Sequence, residues 1–286
     1  MKRKSILLVG LCLAAGNLMT VGQALAVTNC SELTTSSGVI VENGITKGTL
    51  GADVIVGSAG DDVIYGFGGD DVICGGGGHD TIYGGSGLDE IQGGSGDDDL
   101  YGHYRPNNDD PNVEVAEELD DSSVDTIYGD NGSDDISGGG GDDVLRGGNG
   151  RDHIAGGDGV DDIKGGNGKD DLRGGLGDDT LYGGNGSDSL YGGVGDDAVQ
   201  GGGGNDHLYG NRGKDEIFGD EGDDVMEGGP DGDRLHHDGQ DTANTTDDPD
   251  DVCFMKPDNS DPSEMELECE HRDDNGSDDH PAHGKS

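Results

Sequence analysis

The amino-acid sequence predicts an all-β chain folded as a right-handed parallel β-solenoid, and three observations carry that expectation. A nine-residue pattern runs in one unbroken frame from Gly48 to His236, 21 blocks in length, of which 19 are recognisable. In each recognisable block the sixth residue is Asp and the eighth is aliphatic or Met. Glycine accounts for 61 of 286 residues, Trp is absent and Phe occurs three times, so an ordinary globular core is out of reach. One inward side chain per block holds nothing by itself; stacked copies bury a continuous thin core and pair their backbones with the coils above and below.

The elements follow in chain order. Residues 1–26 have the form of a secretory signal peptide: Lys2, Arg3 and Lys4, then the apolar run Ile6 to Leu13, then Ala24-Leu25-Ala26 as a small-residue cleavage site. Residues 27–47 are too short for a domain, and Val39 to Thr46 reads as one strand capping the first coil. The repeat occupies 48–236, with a non-repeat insert at 102–119 whose 18 residues preserve the frame, as a surface excursion or as one degenerate coil. Residues 237–270 are acidic and Pro-containing, with Asp251 to Met255 and Met265 to Glu270 as two short ordered pieces; 271–286 reads as a disordered tail. Four cysteines follow the leader, and an even count outside the cytoplasm favours disulfides. Chain order suggests Cys30 with Cys74 and Cys253 with Cys269, one of three connectivities.

Within a block, glycine at positions 1, 2 and 4 lets backbones approach and adopts positive φ, so the first six residues are expected to turn. Positions 7 to 9, such as Ser189 to Tyr191, are expected to form a three-residue strand with one side chain inward. The invariant sixth position comprises Asp53, Asp62, Asp71, Asp80, Asp89, Asp98, Asp125, Asp134, Asp143, Asp152, Asp161, Asp170, Asp179, Asp188, Asp197, Asp206, Asp215, Asp224 and Asp233.

Gly-Gly-x-Gly-x-Asp-x-aliphatic-x resembles the glycine-rich nonapeptide of RTX, or haemolysin-type, calcium-binding proteins. The resemblance covers roughly two thirds of the chain. It implies a parallel β-roll in which two nonapeptides make one coil. It also implies Ca²⁺ ions between the turns of successive coils, held by the sixth-position carboxylates and by backbone carbonyls. Hard oxygen ligands suit Ca²⁺. Two blocks per coil give two edges. The edge whose blocks begin at Gly57, Gly75, Gly93, Gly129, Gly147, Gly165, Gly183, Gly201 and Gly219 keeps Gly at positions 1 and 4. The other edge departs at Asp120 to Asp125 and Gly228 to Asp233, where weaker calcium sites are expected. Fifth-position acids, as in Asp61-Asp62, read as additions to the calcium field. Asn131, Asn149, Asn167 and Asn185 share a third position. Tyr65, Tyr83, Tyr101, Tyr191 and Tyr209 share a ninth, either as a stabilising ladder or as a strip for a glycan or a surface protein.

Charge narrows the partners. The formal charge of −47 becomes about −50 once the leader's three bases are removed, so self-repulsion opposes folding unless cations offset it. Nucleic acid and anionic membrane surfaces have the wrong sign as general partners. Beyond the leader nothing reads as a membrane span. Catalytic signatures are missing: there is no Gly-x-Ser-x-Gly, no His-Glu-x-x-His, and the terminal Gly284-Lys285-Ser286 lacks the P-loop glycine, its place being taken by Asp279. The expectation is a non-enzymatic, secreted or periplasmic protein that binds several Ca²⁺ ions and folds on them. The alternatives are an adhesin or matrix component and a non-catalytic accessory subunit of a secreted hydrolase.

Overall fold

The computed structural model describes residues 39–40, 44–103, 122–237, 242–244 and 252–255. Over these residues the chain forms 23 strands and no helix, arranged as two parallel sheets of 12 and 11 strands. Consecutive strands alternate between the sheets, and each pairs with the strand two places on: Leu181 lies opposite Val199, and Leu190 opposite Leu208. That register of 18 residues is two nonapeptides, so one coil consumes two blocks and the fold is a β-roll.

The core is the eighth position. Ile55, Ile64, Ile73 and their successors through Met226 and Leu235 form one cluster, each 0–3 % exposed. One inward side chain per strand is all the space between the two sheets admits, which is why the flanking positions tolerate Thr, Asp, Arg or Tyr. Each of these Leu and Ile side chains contributes about 1.5–3 kcal/mol by burial.

Strand length departs from the expected three residues. Thr180–Gly186 and Ser189–Val194 are representative: the strand continues past position 9 into the first glycines of the next block. The reason is the second position, where Gly184 (φ 112°) pairs with Gly202 in the next coil. A left-handed residue there keeps the backbone in register instead of releasing it into a turn. The conformation is imposed even on Phe67, Asp130, Asn211 and Asp220, with φ of 69–79°. Thr49 and Ser58, at the same position in the first two turns, do not adopt it, and the strands Ile45–Lys47 and Val54–Val56 have the expected three residues.

The stack is continuous across the insert. Asp99 pairs with Asp135 and Glu90 with Thr126, a spacing of 36 residues, so the coil before the insert lies directly on the coil after it and no additional coil intervenes. The degenerate-coil alternative is thereby excluded; residues 104–121 lie outside the described residues. At the leading end the expected single cap strand is two, Val39–Ile40 on one sheet and Ile45–Lys47 on the other. At the trailing end Thr242–Asn244 and Val252–Met255 each add one strand, so pairing extends past residue 236. The leader, Cys30, Met265 to Glu270 with Cys269, and the tail 271–286 lie outside the described residues.

Side chains on the outer faces align in rows. Tyr65, Tyr83 and Tyr101 stack with centroids 5.1 and 4.9 Å apart, and Tyr191 and Tyr209 at 4.8 Å, with planes within 10°. On the other sheet each asparagine amide donates to the one before it: Asn149 to Asn131 (2.9 Å), Asn167 to Asn149 (2.7 Å) and Asn185 to Asn167 (2.8 Å). The shared third position marks these residues in sequence; the direction of the amide chain is visible only in the fold.

Candidate metal centre

The sixth residue of each block sits where the loop re-enters the strand, so its side chain points back under the turn. From Asp62 to Asp233 these aspartates are 0–2 % exposed, and Asp53 in the first turn is half-buried. Their two oxygens have different surroundings. Oδ1 accepts the backbone N–H of the sixth-position Asp one coil earlier, as from Asp152 to Asp170 (2.9 Å) and from Asp170 to Asp188 (2.8 Å). The same bond spans the insert, from Asp89 to Asp125 and from Asp98 to Asp134, both at 2.9 Å.

Oδ2 faces the first-position glycine of its own turn. A Cβ placed on Gly165 would lie 2.5 Å from Asp170 Oδ2 and 2.7 Å from the carbonyl oxygen of Gly183 in the next coil. The missing Cβ therefore leaves a recess lined by a carboxylate oxygen and a backbone carbonyl. In Asp71, Asp80, Asp89, Asp98, Asp134, Asp152, Asp161, Asp170, Asp179, Asp188, Asp197, Asp206 and Asp215, Oδ2 is buried without a hydrogen-bond partner. Native proteins rarely leave such an atom unsatisfied.

Burial drives the electrostatics. Loss of solvent pushes Asp71, Asp134, Asp179, Asp188 and Asp197 up to about 7, against the lowering effect of the N–H bond at Oδ1. Asp80, Asp152, Asp161, Asp170 and Asp215 rise to about 6 and Asp89 to about 8, again through burial first. Asp98 and Asp206 are raised for the same reason. Neighbouring sixth-position carboxylates add to the rise, as Asp152 and Asp98 do at Asp134.

The oxygen-only recess fits a hard cation. Among the described residues no group of three or more His, Cys, Asp or Glu side chains is placed to hold a metal. A cation at these turns therefore completes its shell with backbone carbonyls, which suits Ca²⁺ with its six to eight oxygen ligands. The RTX calcium-binding nonapeptide repeat family matches residues 47–82, 75–103, 121–145, 128–163, 137–172, 164–199 and 200–235. The chain belongs to that family. Its RTX repeats bind Ca²⁺, and so many of them imply several ions. No curated protein matches the chain.

The fifth-position acids play another part. Their Oδ1 atoms accept the N–H of the fifth residue one coil later: Asp61 from His79, Asp142 from Val160, Asp178 from Asp196 and Asp196 from Lys214, each at 2.9 Å. They stitch successive RTX turns together on the rim while the sixth-position acids stitch them beneath. Three sixth-position carboxylates differ from the rest. Asp53, Asp62 and Asp125 have hydroxyls near Oδ2, from Thr49 (2.9 Å), Ser58 (2.8 Å) and Ser123 (3.4 Å). Among the described residues no helix is long and apolar enough to cross a membrane.

Proposed function

We propose that this protein is an exported calcium-binding roll that folds on its ions and acts by binding rather than by catalysis. The observation that carries the reading is the row of buried, unpartnered Oδ2 atoms. Those thirteen aspartates are the proposed ligands, with Asp143, Asp224 and Asp233 at the equivalent place in their turns. Ionising one carboxyl whose value stands near 7 instead of near 4 costs about 4 kcal/mol at roughly 1.4 kcal/mol per pH unit. A few such costs equal the whole stability of a typical domain, about 5–15 kcal/mol. The roll at neutral pH therefore needs cations in its turns, and calcium binding and folding become one process.

Export is supported by the leader-like residues 1–26. A disulfide at the leading end is supported by the burial of Cys74, 1 % exposed. Chain order suggests Cys30 as its partner, one of three connectivities. The tyrosine rows support a stabilising role over glycan capture, because the rings stack face to face and cover the faces they share.

The test is circular dichroism of the chain from Val27, stripped with chelator and titrated with CaCl₂ or MgCl₂. A cooperative gain of β-structure with calcium and none with magnesium is expected. Full β-structure in chelator would overturn the reading.

A further inference from the structure

The sixth-position aspartates of the first two turns differ chemically from the thirteen whose Oδ2 is unpartnered. In the first two turns the carboxylate is satisfied by its own loop. The N–H of Thr49 donates to Asp53 Oδ2 (2.6 Å) and its hydroxyl donates to the same oxygen (2.9 Å), while the hydroxyl oxygen accepts the N–H of Gly51 (3.2 Å). The next turn repeats the arrangement. Ser58 N–H and hydroxyl donate to Asp62 Oδ2 (2.7 and 2.8 Å), and the hydroxyl accepts from Gly60 (3.2 Å). In the turns of the thirteen aspartates with an unpartnered Oδ2, from Asp71 to Asp215, the second position is left-handed and its N–H is directed elsewhere, as Gly85 donates to the carbonyl of Gly102 in the next coil (2.8 Å). The Oδ2 of those thirteen aspartates then has no donor.

We propose that the turns Gly48–Asp53 and Gly57–Asp62 close without calcium. Thr49 and Ser58 supply to Asp53 and Asp62 what a cation supplies to the later aspartates, so the roll starts from a metal-independent end. The proposal rests on the calcium reading of the later turns. Two donors on one carboxylate oxygen satisfy it within a loop that needs no partner ion. The Oδ1 of Asp71 and of Asp80 accept the N–H groups of Asp53 (2.7 Å) and Asp62 (2.9 Å), so the closed turns present their backbone to the first open ones. A preformed end gives each following coil an edge to pair with, which removes the cost of starting a stack. The sequence signature is Ser or Thr at position 2, followed by x-Gly-x-Asp, at Thr49 to Asp53 and Ser58 to Asp62.

The test is hydrogen–deuterium exchange of the chain from Val27 in EGTA and in CaCl₂, with and without reductant. In EGTA, amides in 44–65 should exchange at least roughly tenfold more slowly than those in 129–227, and calcium should protect both. The double variant Thr49→Val with Ser58→Ala should lose the EGTA protection of 44–65, whereas Thr49→Ser should retain it. Equal, fast exchange of both regions in EGTA, with protection of both by calcium, would overturn the proposal and leave the calcium reading intact. Loss of protection on reduction would overturn it in favour of the disulfide. Protection of 129–227 in EGTA would overturn the calcium reading, and the division with it.

Discussion

Asp188 shows what one residue does in this fold. Its Oδ1 holds the N–H of Asp170 at 2.8 Å, and its Oδ2 lies buried beside Gly183. Two substitutions separate the two tasks. Asp188→Asn keeps a carbonyl oxygen for the N–H and removes the charge, so it should raise the calcium concentration at the folding midpoint. Asp188→Ala also strands a buried donor, which costs about 1–3 kcal/mol more, and its midpoint should lie higher still. Calcium titrations followed by circular dichroism compare the three chains. The same carboxylates set the response to pH. Their values in the metal-free roll stand near 6 to 8, above the ordinary 3.8, so the folded state binds protons more tightly than the unfolded state. Stability conferred by protons is fully present below about pH 4 and is lost as pH rises through 6 to 8. In chelator, β-structure should therefore grow as the pH is lowered from about 8 to about 5. A flat response over that range would contradict the account of buried charge.

The strand is the unit in which the hydrophobic argument operates. Leu181 is fully buried between the two sheets, and Leu181→Ala should cost about 2–5 kcal/mol, measured as a shift in urea midpoint at saturating calcium. Much of this level is legible in sequence. The eighth-position residues identify the core, and the frame from Gly48 to His236 supplies the blocks from which the paired register is built. Strand length was not legible, because it depends on whether the residues after position 9 find backbone partners in a neighbouring coil, as Gly184 finds Gly202. The role of Asp61, Asp142 and Asp178 was hidden for a similar reason: an acid beside an acid looks like added charge until its oxygen is seen on the N–H of the next coil. Thr49 and Ser58 did carry a local signal. They break the Gly-Gly start of the block with a hydroxyl placed four residues before the aspartate it meets.

At the scale of the whole molecule, the roll is a linear stack whose coils touch only their neighbours. The pairing of Asp99 with Asp135 shows that the flanking coils pair directly across residues 104–121. Deleting them should leave the calcium midpoint and its cooperativity unchanged within error, read by the same dichroism titration; a broken or two-step transition would show that the insert supports the fold. The alternation of blocks between two sheets also governs how such a chain can change its length over generations. Gain or loss of a whole coil's worth of codons leaves every remaining side chain on its own face. Gain or loss of a single block would transfer every following residue to the opposite sheet. The row of Tyr191 and Tyr209 would then continue the line of Arg146 and Lys164, and the asparagine row would be cut. Selection on surface rows therefore counts in pairs of blocks, and the 18-residue insert has that length.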